Sequence, residues 1–279
     1  MGLVFVPTPL GNLRDVTLRA IDVLREAPLI VAEDSRVARR LLNALEIGPK
    51  EIWTYHEHNA RATTEAILAR AREGSVAVVT DAGTPGISDP GSALVAAARE
   101  SGVPVEVLPG PAAFVCAAVL SGFDLRRFVF AGFPPRGGAQ RRAAFREALG
   151  TTTIWYEAPH RIRESLADLA AVAPERQVFL VRELTKLHEQ QVLGTPAEVS
   201  AALADPVRGE IAFVVQGLAE DTIAVSPEPA VLDAAIDALI AEGLSTSAIA
   251  KRLTEAGHGE RRHLYARVSD RRGGGPHHG

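Results

Sequence analysis

The stretch that decides the fold runs from Val76 to Gly91 and reads VAVVTDAGTPGISDPG. Its first four residues are apolar and uninterrupted, which is typical of a buried strand. From Asp81 onward the residues are turn formers, because glycine permits positive φ angles and proline fixes its own φ. The pattern predicts a buried strand that opens into a rigid loop. Such a loop suits a small polar ligand, although a rigid surface turn would have the same composition.

Further apolar runs lie on both sides of this stretch and alternate with helical patterns. They cover residues 3–6, 29–32, 52–55 and 103–108 in the first half, and 128–132, 152–156, 177–181, 190–193 and 210–215 in the second. Alternation of this kind indicates βαβ units and a mainly parallel sheet. Ligands bind beyond the carboxyl ends of such strands, so the following loops are expected to form one functional rim. Those loops follow Val6, Ala32, Val79 and Leu108.

Changes in composition predict three parts of the chain. Residues 1–122 are expected to form an α/β domain with a mainly parallel sheet, and residues 123–218 a second α/β domain with a mixed sheet. A linker rich in turn formers follows Gly217. Residues 228–272 are expected to form a small basic module, in which two helical patterns around Gly257 resemble a helix-turn-helix.

Composition and charge exclude several classes of protein. The chain has 279 residues, 47% of them hydrophobic, with 30 Lys and Arg against 34 Asp and Glu, a net charge of −4. This balance excludes a disordered chain and argues against nucleic-acid contact over the whole surface. A single cysteine excludes an internal disulfide and fits a reducing compartment. The longest apolar run, 112–120, is too short for a bilayer, which needs about 20 residues, so we expect a cytoplasmic protein with no membrane contact.

Two familiar nucleotide-binding motifs are missing from the sequence. There is no G-x-G-x-x-G after the first apolar run and no G-x-x-x-x-G-K-[ST]. Their absence argues against a Rossmann dehydrogenase and a P-loop kinase. The first loop, residues 7–12, instead reads PTPLGN.

Seven motifs occur in an order that resembles one family. They are PTPLGNL at 7–13, AEDSR at 32–36, YHEHN at 55–59, the loop at 81–91, PGP at 109–111, YEAPHR at 156–161 and RELTK at 182–186. Together they resemble the ribosomal small-subunit methyltransferase I family of the tetrapyrrole methylase superfamily. The resemblance covers residues 2–217 and the C-terminal module. Ser35 stands where the family usually has threonine, and His188 where an aromatic residue is usual.

The resemblance implies a homodimer of two-domain α/β subunits that methylates a cytidine ribose 2′-oxygen in 16S rRNA. The substrate would be the RNA itself or the small ribosomal subunit. S-adenosyl-L-methionine would lie in the cleft between the domains. Carrying the family's motifs over residue by residue places the following positions around that cofactor: Leu10, Gly83, Thr84, Ile87, Ala112, Ala113, Tyr156, Glu157, Leu184 and Thr185.

The chemistry itself needs a group that helps the acceptor oxygen lose its proton. A ribose hydroxyl is a weak nucleophile, so a nearby base or a charge that stabilises the alkoxide is required. Asp34 is a candidate base, although aspartate is equally common as a helix N-cap. Lys186 is a candidate for stabilising the alkoxide, or an ordinary solvated lysine. Glu157 is a third candidate, either catalytic or orienting the nucleotide.

Contact with RNA would need local positive charge. Six arginines and no acid lie between residues 126 and 146, and seven basic residues against three acids lie between 245 and 272. Such runs often form only a solvated surface, but two of them favour phosphate binding. His56 and His58 are too few for a metal site, so no metal is expected. The predicted RNA contacts are Arg36, His56, His58, Arg136, His160, Arg161, Lys251, Arg252, Arg261 and Arg262.

Two other functions fit part of the sequence. A porphyrin-precursor C-methyltransferase on the same scaffold would share the cofactor loops but would need no basic helical module. A non-enzymatic RNA-binding protein would use that module but would leave the Gly- and Pro-rich loops unexplained.

Overall fold

Five apolar strands of the first half pair side by side and all run in one direction in the computed structural model of the protein. They are β1 (Gly2–Phe5), β2 (Leu29–Ala32), β3 (Glu51–Thr54), β4 (Ser75–Val79) and β5 (Val105–Val107). Their order in the sheet is β3-β2-β4-β1-β5, and every pairing is parallel. The carboxyl ends of all five strands therefore lie at one edge. The structure describes residues 1–56, 59–89, 91–218, 229–256 and 261–273.

Helices cover both faces of this parallel sheet. They are α1 (Leu18–Glu26), α2 (Ser35–Ala44), α3 (Ala60–Glu73) and α4 (Gly91–Glu100), whereas the next helix, α5 (Ala113–Ser121), packs elsewhere. Side chains of α3 and α4 pack on one face, among them Ile67 and Leu94. Side chains of α1 and α2 pack on the other, among them Leu24 and Leu42. Burial on both faces explains why the central strands β1, β2 and β4 are almost continuously apolar, whereas the edge strands β3 and β5 contain glutamate.

The second half forms a mixed sheet, as the sequence predicts. Its strands are β6 (Phe128–Gly132), β7 (Thr152–Glu157), β8 (Val178–Arg182), β9 (Gln190–Gly194) and β10 (Ile211–Val215), in the order β6-β7-β10-β8-β9. Only the pairing of β6 with β7 is parallel among these described strands. Three helices, α6 (Gly138–Ala148), α7 (Ile162–Val172) and α8 (Pro196–Ala202), cover one face.

Helix α5 covers the other face of the second sheet. Its residues Ala117 and Ala118 are buried against Ile154, Phe179 and Val214. Since α5 directly follows the last strand of the parallel sheet, this packing joins the two halves of Met1–Gly217, which form one compact unit. The expected division at residue 122 into two domains remains a prediction.

A buried ion pair holds α6 to α7. The guanidinium of Arg141, whose side chain is only 4% exposed, lies 2.6 Å from the Asp168 carboxylate, and Arg142 lies 2.5 Å from its other oxygen. Burial alone would raise the pKa of Asp168, but hydrogen bonds from Arg142 and Arg141 outweigh it and lower that pKa. Arg141 is therefore part of the core rather than of a basic surface.

The remaining residues, Leu218–Gly279, form a second compact unit. Its described helices are α9 (Pro229–Ala241), α10 (Thr246–Glu255) and α11 (Arg261–Gly273), which share a core of Leu232, Ile236, Ile249, Leu253, Leu264 and Val268. The helices of the expected C-terminal module are thus present. The predicted turn at Gly257 lies outside the described residues. Among the described helices, none is long and apolar enough to cross a lipid bilayer.

Candidate cofactor cavity and active site

A cavity of about 590 Å³ lies where the loops of the parallel sheet face the second sheet, within the first unit. Its volume falls within the roughly 300–1,000 Å³ of small-molecule sites. The first half contributes Leu10, Ala82, Gly83, Thr84, Ile87, Ala112, Ala113 and Phe114. The second half contributes Phe133, Tyr156, Glu157, Ala158, Pro159, Val181, Glu183, Leu184, Lys186, Gly209, Glu210, Ile211 and Ala212.

Three loops of the first half are tied to one another at the cavity. The amides of Thr8 and Gly83 each donate to the other residue's carbonyl, at 2.9 and 3.0 Å. Gly83 has a φ of +83°, and a Cβ there would lie 3.2 Å from the side chain of Leu10. The hydroxyl of Thr84 donates to the carbonyl of Pro111 at 2.8 Å. These bonds hold the backbone at the cavity wall in one arrangement.

The loop at 81–91 carries its own internal brace. Asp89 Oδ1 accepts hydrogen bonds from the amides of Gly86 and Gly91, at 2.7 and 2.8 Å. A Cβ at Gly91 would overlap the backbone of Gly86, so only glycine fits there. The loop is thus a rigid turn and also part of the cavity wall. The two interpretations of its composition, a rigid turn and a wall for a ligand, are therefore compatible.

Aromatic side chains line the opposite wall. The amide of Phe114 donates to Tyr156 Oη at 3.0 Å. Burial raises the pKa of the Tyr156 hydroxyl, so it stays protonated at neutral pH. Phe133 and Phe130 both contact the Tyr156 ring edge-on, with ring centroids 5.8 and 5.0 Å away. Phe133 is 52% exposed, and it therefore places an aromatic face at the cavity mouth.

One end of the cavity is charged. Lys186 Nζ donates to Glu183 Oε1 at 2.8 Å and to Glu210 Oε2 at 3.0 Å. Burial alone would lower the pKa of Lys186, but these hydrogen bonds outweigh it and raise that pKa above its ordinary value. The bond from Lys186 also lowers the pKa of Glu183. Lys186 is therefore an ammonium at neutral pH.

The backbone beside this charged group is unusual. Glu183 and Thr185 both have positive φ angles, +54° and +65°. Gly209 also has a positive φ, +87°, and a Cβ there would overlap the Glu183 carboxylate. Left-handed conformations of non-glycine residues are costly and concentrate at functional sites. Two residues of this kind thus lie on either side of Leu184 in the segment that holds Lys186, and Ser88 in the 81–91 loop is another.

The first loop reaches this segment directly. The amide of Asn12 donates to Thr185 Oγ1 at 3.1 Å. A Cβ at Gly11 would overlap the Lys186 side chain, so the glycine permits the close approach. Thr185 thus joins the two halves.

The cofactor residues expected from the resemblance are brought together, with one exception. Nine of the ten line the cavity, and Thr185 does not. Their role in binding stays a prediction. Several lining residues in β8, in β10 and just before β10 were not predicted, among them Val181, Gly209, Glu210 and Ala212. They belong to no recognisable motif; Glu183, also missed, lay within the RELTK stretch.

Asp34 is placed as a helix N-cap, outside the residues that line the cavity. Its Oδ1 accepts from the Arg36 amide at 2.7 Å, and Arg36 Nη2 donates to Oδ2 at 2.6 Å. The hydrogen bonds from Arg36 lower the pKa of Asp34 well below its usual range. A carboxylate with so low a pKa is a weak base. This geometry favours the capping interpretation over the catalytic one.

Glu157 lines the cavity, but its carboxylate is engaged inside the protein. Its Oε2 accepts from Ser165 Oγ at 2.5 Å, and its Oε1 accepts from the Ala158 amide at 2.9 Å. Arg161 lies 3.4 Å from Oε1 and also donates to the carbonyls of Pro134 and Pro135, both at 3.1 Å. These contacts hold the 157–161 segment in place, and the catalytic role of Glu157 and the RNA contact of Arg161 stay predictions.

The other predicted RNA contacts differ in their surroundings. Arg36, Arg136 and His160 are exposed, His56 is half-buried, and His58 lies outside the described residues. The basic run at 126–146 is partly neutralised, because Arg126 pairs with Asp124 in addition to the Arg141 and Arg142 pairs.

The second unit exposes all four of its predicted RNA contacts: Lys251, Arg252, Arg261 and Arg262. Arg252 lies 3.6 Å from Glu242, and Arg261 donates to Ser247 Oγ at 3.2 Å. The more C-terminal arginine Arg271 instead pairs with Asp233 and Asp237. The exposed basic residues of this unit thus lie on α10 and at the start of α11, and at least Arg252 is paired with an acid of the same unit.

Comparisons with known proteins identify relatives of the chain. A family model described as Tetrapyrrole (Corrin/Porphyrin) Methylases matches residues 2–200. The chain is 47% identical to a ribosomal RNA small subunit methyltransferase I of Micromonospora olivasterospora, over 78% of this chain and 71% of that protein. It is 38% identical to a protein of the same name from Streptococcus pyogenes serotype M1, over 96% of this chain and 94% of that one.

A solved structure described as diphthine synthase shares the fold. It superposes with a TM-score of 0.61 at 16% identity, over 77% of this chain and 89% of that one. The family model and the curated relatives together decide the assignment. The chain belongs to the ribosomal RNA small subunit methyltransferase I family, within the tetrapyrrole methylases.

Proposed function

We propose that this protein transfers a methyl group to the ribose 2′-oxygen of a cytidine in the 16S RNA of the small ribosomal subunit. The main support is the match to ribosomal RNA small subunit methyltransferase I of Streptococcus pyogenes, which extends over 96% of the chain. A match of that length includes the C-terminal unit with its exposed basic residues. A tetrapyrrole methylase would not need such a unit.

The methyl donor of this family of methylases is S-adenosylmethionine, and the cavity fits it. Small or apolar residues, Ala112, Ala113 and Ile87, leave room for a flat ring. The carboxylates of Glu183 and Glu210 lie at the charged end, where a cation is favoured. Because Gly83 has no side chain, the backbone of the 82–84 segment is open to the cavity. We propose that these residues hold the cofactor.

Bound S-adenosylmethionine supplies a methyl group on a positively charged sulfur, which is open to in-line displacement. The protein's part is to orient the ribose hydroxyl and to stabilise the charge that develops on its oxygen. Lys186 is suited to that second task, because it lines the cavity and its raised pKa keeps it protonated. For the same reason Lys186 cannot serve as the base. We propose that it donates a hydrogen bond to the acceptor oxygen as that oxygen attacks the methyl carbon, the carbon–sulfur bond breaks and the hydroxyl proton passes to solvent water.

The direct test is methyl transfer to defined acceptors. Purified protein and radiolabelled S-adenosylmethionine would be incubated with small ribosomal subunits, with naked 16S RNA and with a porphyrin precursor. We expect label in RNA, at a cytidine whose 3′ phosphodiester resists alkali, because alkaline cleavage needs a bare 2′-hydroxyl. Label on a base, or on the porphyrin precursor, would contradict the proposal. Cofactor binding without transfer to any acceptor would favour a non-enzymatic RNA-binding protein.

We also propose a homodimer. Helix α5 exposes Val115, Val119 and Leu120, and the edge strand β6 exposes Phe128 and Val129, with Val119 as much as 68% exposed. Clusters of exposed apolar side chains on a soluble chain favour a protein interface. Light scattering during gel filtration should give twice the 29.6 kDa of one chain. Val119→Asp should shift the mass toward one chain, and a monomeric wild type would refute the proposal.

A further inference from the structure

A second, smaller cavity lies next to the cofactor cavity, at the same edge of the parallel sheet. Its volume is about 260 Å³, below the range of typical cofactor sites but enough for a single heterocyclic ring. The residues that matter for its chemistry are Pro9, Leu13, Val37, Arg40, Leu41 and Asp81. None of these belongs to the set that lines the larger cavity. We call this cavity the α2 groove, after the helix that supplies Val37, Arg40 and Leu41.

The α2 groove and the cofactor cavity share two walls, each only one segment of chain thick. In the first loop, Leu10 lines the cofactor cavity, whereas Pro9 and Gly11 on either side of it line the groove. In the loop after β4, Asp81 lines the groove and the next residue, Ala82, lines the cofactor cavity. The mutual hydrogen bonds of Thr8 and Gly83 fasten these two segments together. A molecule in the groove is therefore separated from the cofactor cavity by a single segment of chain.

The walls of the groove match a flat ring that carries an amino group. Leu13, Val37 and Leu41 provide apolar surface, and Leu13 is 38% exposed. Asp81 provides a carboxylate, whose Oδ1 accepts from the Asp34 amide at 3.2 Å. Among the described residues, no hydrogen bond to Asp81 Oδ2 is present. A carboxylate is the side chain that accepts from the exocyclic amino group of cytosine.

The electrostatic surroundings of Asp81 favour a ligand that donates a hydrogen bond to its carboxylate. Partial burial, and then the nearby Glu33 carboxylate, raise the pKa of Asp81, while the positive charge of Arg40 acts in the opposite direction. The Asp81 carboxylate is thus poorly compensated, and a hydrogen bond from a ligand amino group would offset part of that cost. Arg40 lines the groove and is exposed, and Arg36 and Arg39 of the same helix are exposed as well. Phosphates of an RNA strand would pass along these arginines.

We propose that the α2 groove binds the base of the nucleotide that receives the methyl group, with Asp81 accepting a hydrogen bond from its exocyclic amino group. This inference rests on the proposed function, because it assumes an RNA acceptor. Asp81 would then select cytosine over uracil, whose carbonyl at the same ring position would face the carboxylate with like partial charge. The groove, rather than the cofactor cavity, would determine which base is accepted.

The first test measures base selection. The methylated position is mapped in wild-type reactions, and reconstituted subunits are made with either cytidine or uridine there. Wild type should prefer cytidine, and Asp81→Asn should reduce that preference by about tenfold to a hundredfold, since an amide can face either base. The asparagine oxygen can keep the bond from the Asp34 amide, so the loop should hold.

Each outcome of this test decides between the two proposals. The role of Asp81 would be overturned if Asp81→Asn kept the full preference for cytidine over uridine. It would also be overturned if the variant methylated neither the cytidine nor the uridine subunit while still binding S-adenosylhomocysteine in calorimetry. Wild-type protein that methylates no RNA would overturn the proposed function instead. Binding of S-adenosylhomocysteine within twofold of wild type confirms that the cofactor cavity is intact in the variant.

The second test fills the groove without touching Asp81. Ala44 is exposed and lines the groove, so Ala44→Trp should obstruct it. Asn43 is the preceding exposed residue of the same helix but does not line the groove, which makes Asn43→Trp the matched control. We expect Ala44→Trp to lower RNA methylation at least tenfold with unchanged S-adenosylhomocysteine binding, and Asn43→Trp to leave both near wild type. Equal rates for the two variants would refute the groove as the acceptor site.

Discussion

Replacing Lys186 by methionine tests whether its ammonium stabilises the acceptor oxygen. The change removes the charge but keeps the length of the side chain. Loss of one donor to a developing oxyanion typically lowers kcat by about 10²- to 10³-fold. The Lys186 side chain is 29% exposed, so water screens part of its charge. We therefore expect the lower end, a fall of about a hundredfold.

The same structure predicts that cofactor binding survives this change. Without Lys186, the carboxylates of Glu183 and Glu210, now 2.8 and 3.0 Å from its Nζ, lose their shared partner. Their uncompensated negative charge should attract a cationic ligand at least as strongly as before. The Kd for S-adenosylmethionine should thus stay near wild type or fall, while kcat drops. A merely structural lysine would change both in the unfavourable direction.

The assay is steady-state methylation of small subunits, with cofactor affinity measured separately by calorimetry. Lys50→Met serves as control, because Lys50 Nζ donates to the carbonyls of Arg25 and Ala27 and does not line the cavity. A kcat for Lys186→Met within threefold of wild type would refute the assignment. Because the pKa of Lys186 is raised, wild-type kcat should also show no loss from this group until the pH exceeds roughly 10.4, the ordinary lysine value.

Two further predictions concern the core and the charged end of the cavity. Asp168→Asn leaves the buried Arg141 guanidinium with only the more distant carboxylate of Glu164, 3.6 Å away. Calorimetry should therefore show a free energy of unfolding lower by about 3 kcal/mol, the lower end for breaking a buried pair, and a loss below about 1 kcal/mol would contradict the prediction. Because the folded pKa of Asp168 is lowered, this contribution is complete above its ordinary value of roughly 3.9 and disappears as pH falls through the lowered one. Gly209→Ala should push Glu183 off Lys186 and lower kcat about tenfold, whereas Gly150→Ala, which meets nothing within 4 Å, should not; equal kcat values would refute the steric argument.

Local patterns in the sequence were sufficient to predict the strands. β2 and β6 begin and end at the predicted residues, because a short run of apolar residues is typical of a strand. Helix starts are instead decided by individual side chains rather than by a periodicity. Helix α2 begins at Ser35 because Asp34 caps it, and α8 begins at Pro196 because Thr195 and Glu198 form a capping box.

The resemblance also located most of the cavity, since its motifs lie in loops at the ends of predicted strands. The structure adds the hydrogen-bond and ion-pair partners of the carboxylates in these motifs. Asp34 and Glu157 are carboxylates at plausible positions in the chain, yet their partners, Arg36 in one case and Ser165 and Arg161 in the other, leave them poorly suited to act as bases. A side chain's partners depend on packing, which a motif does not record.

The amino-acid sequence by itself determined the alternation of strands and helices, the rim of Gly- and Pro-rich loops and the family, because each depends on neighbours along the chain. Tertiary structure alone decided what faces that rim. It brought Gly11 against Lys186 and Val181 opposite Ala112, and it placed Asp81 in a groove beside the cofactor cavity. Gly11 and Lys186, like Ala112 and Val181, are far apart in sequence and meet only because the two sheets of the first unit pack together, and Asp81 meets α2 only because β2 and β4 are neighbours in the parallel sheet. No local pattern could have paired them.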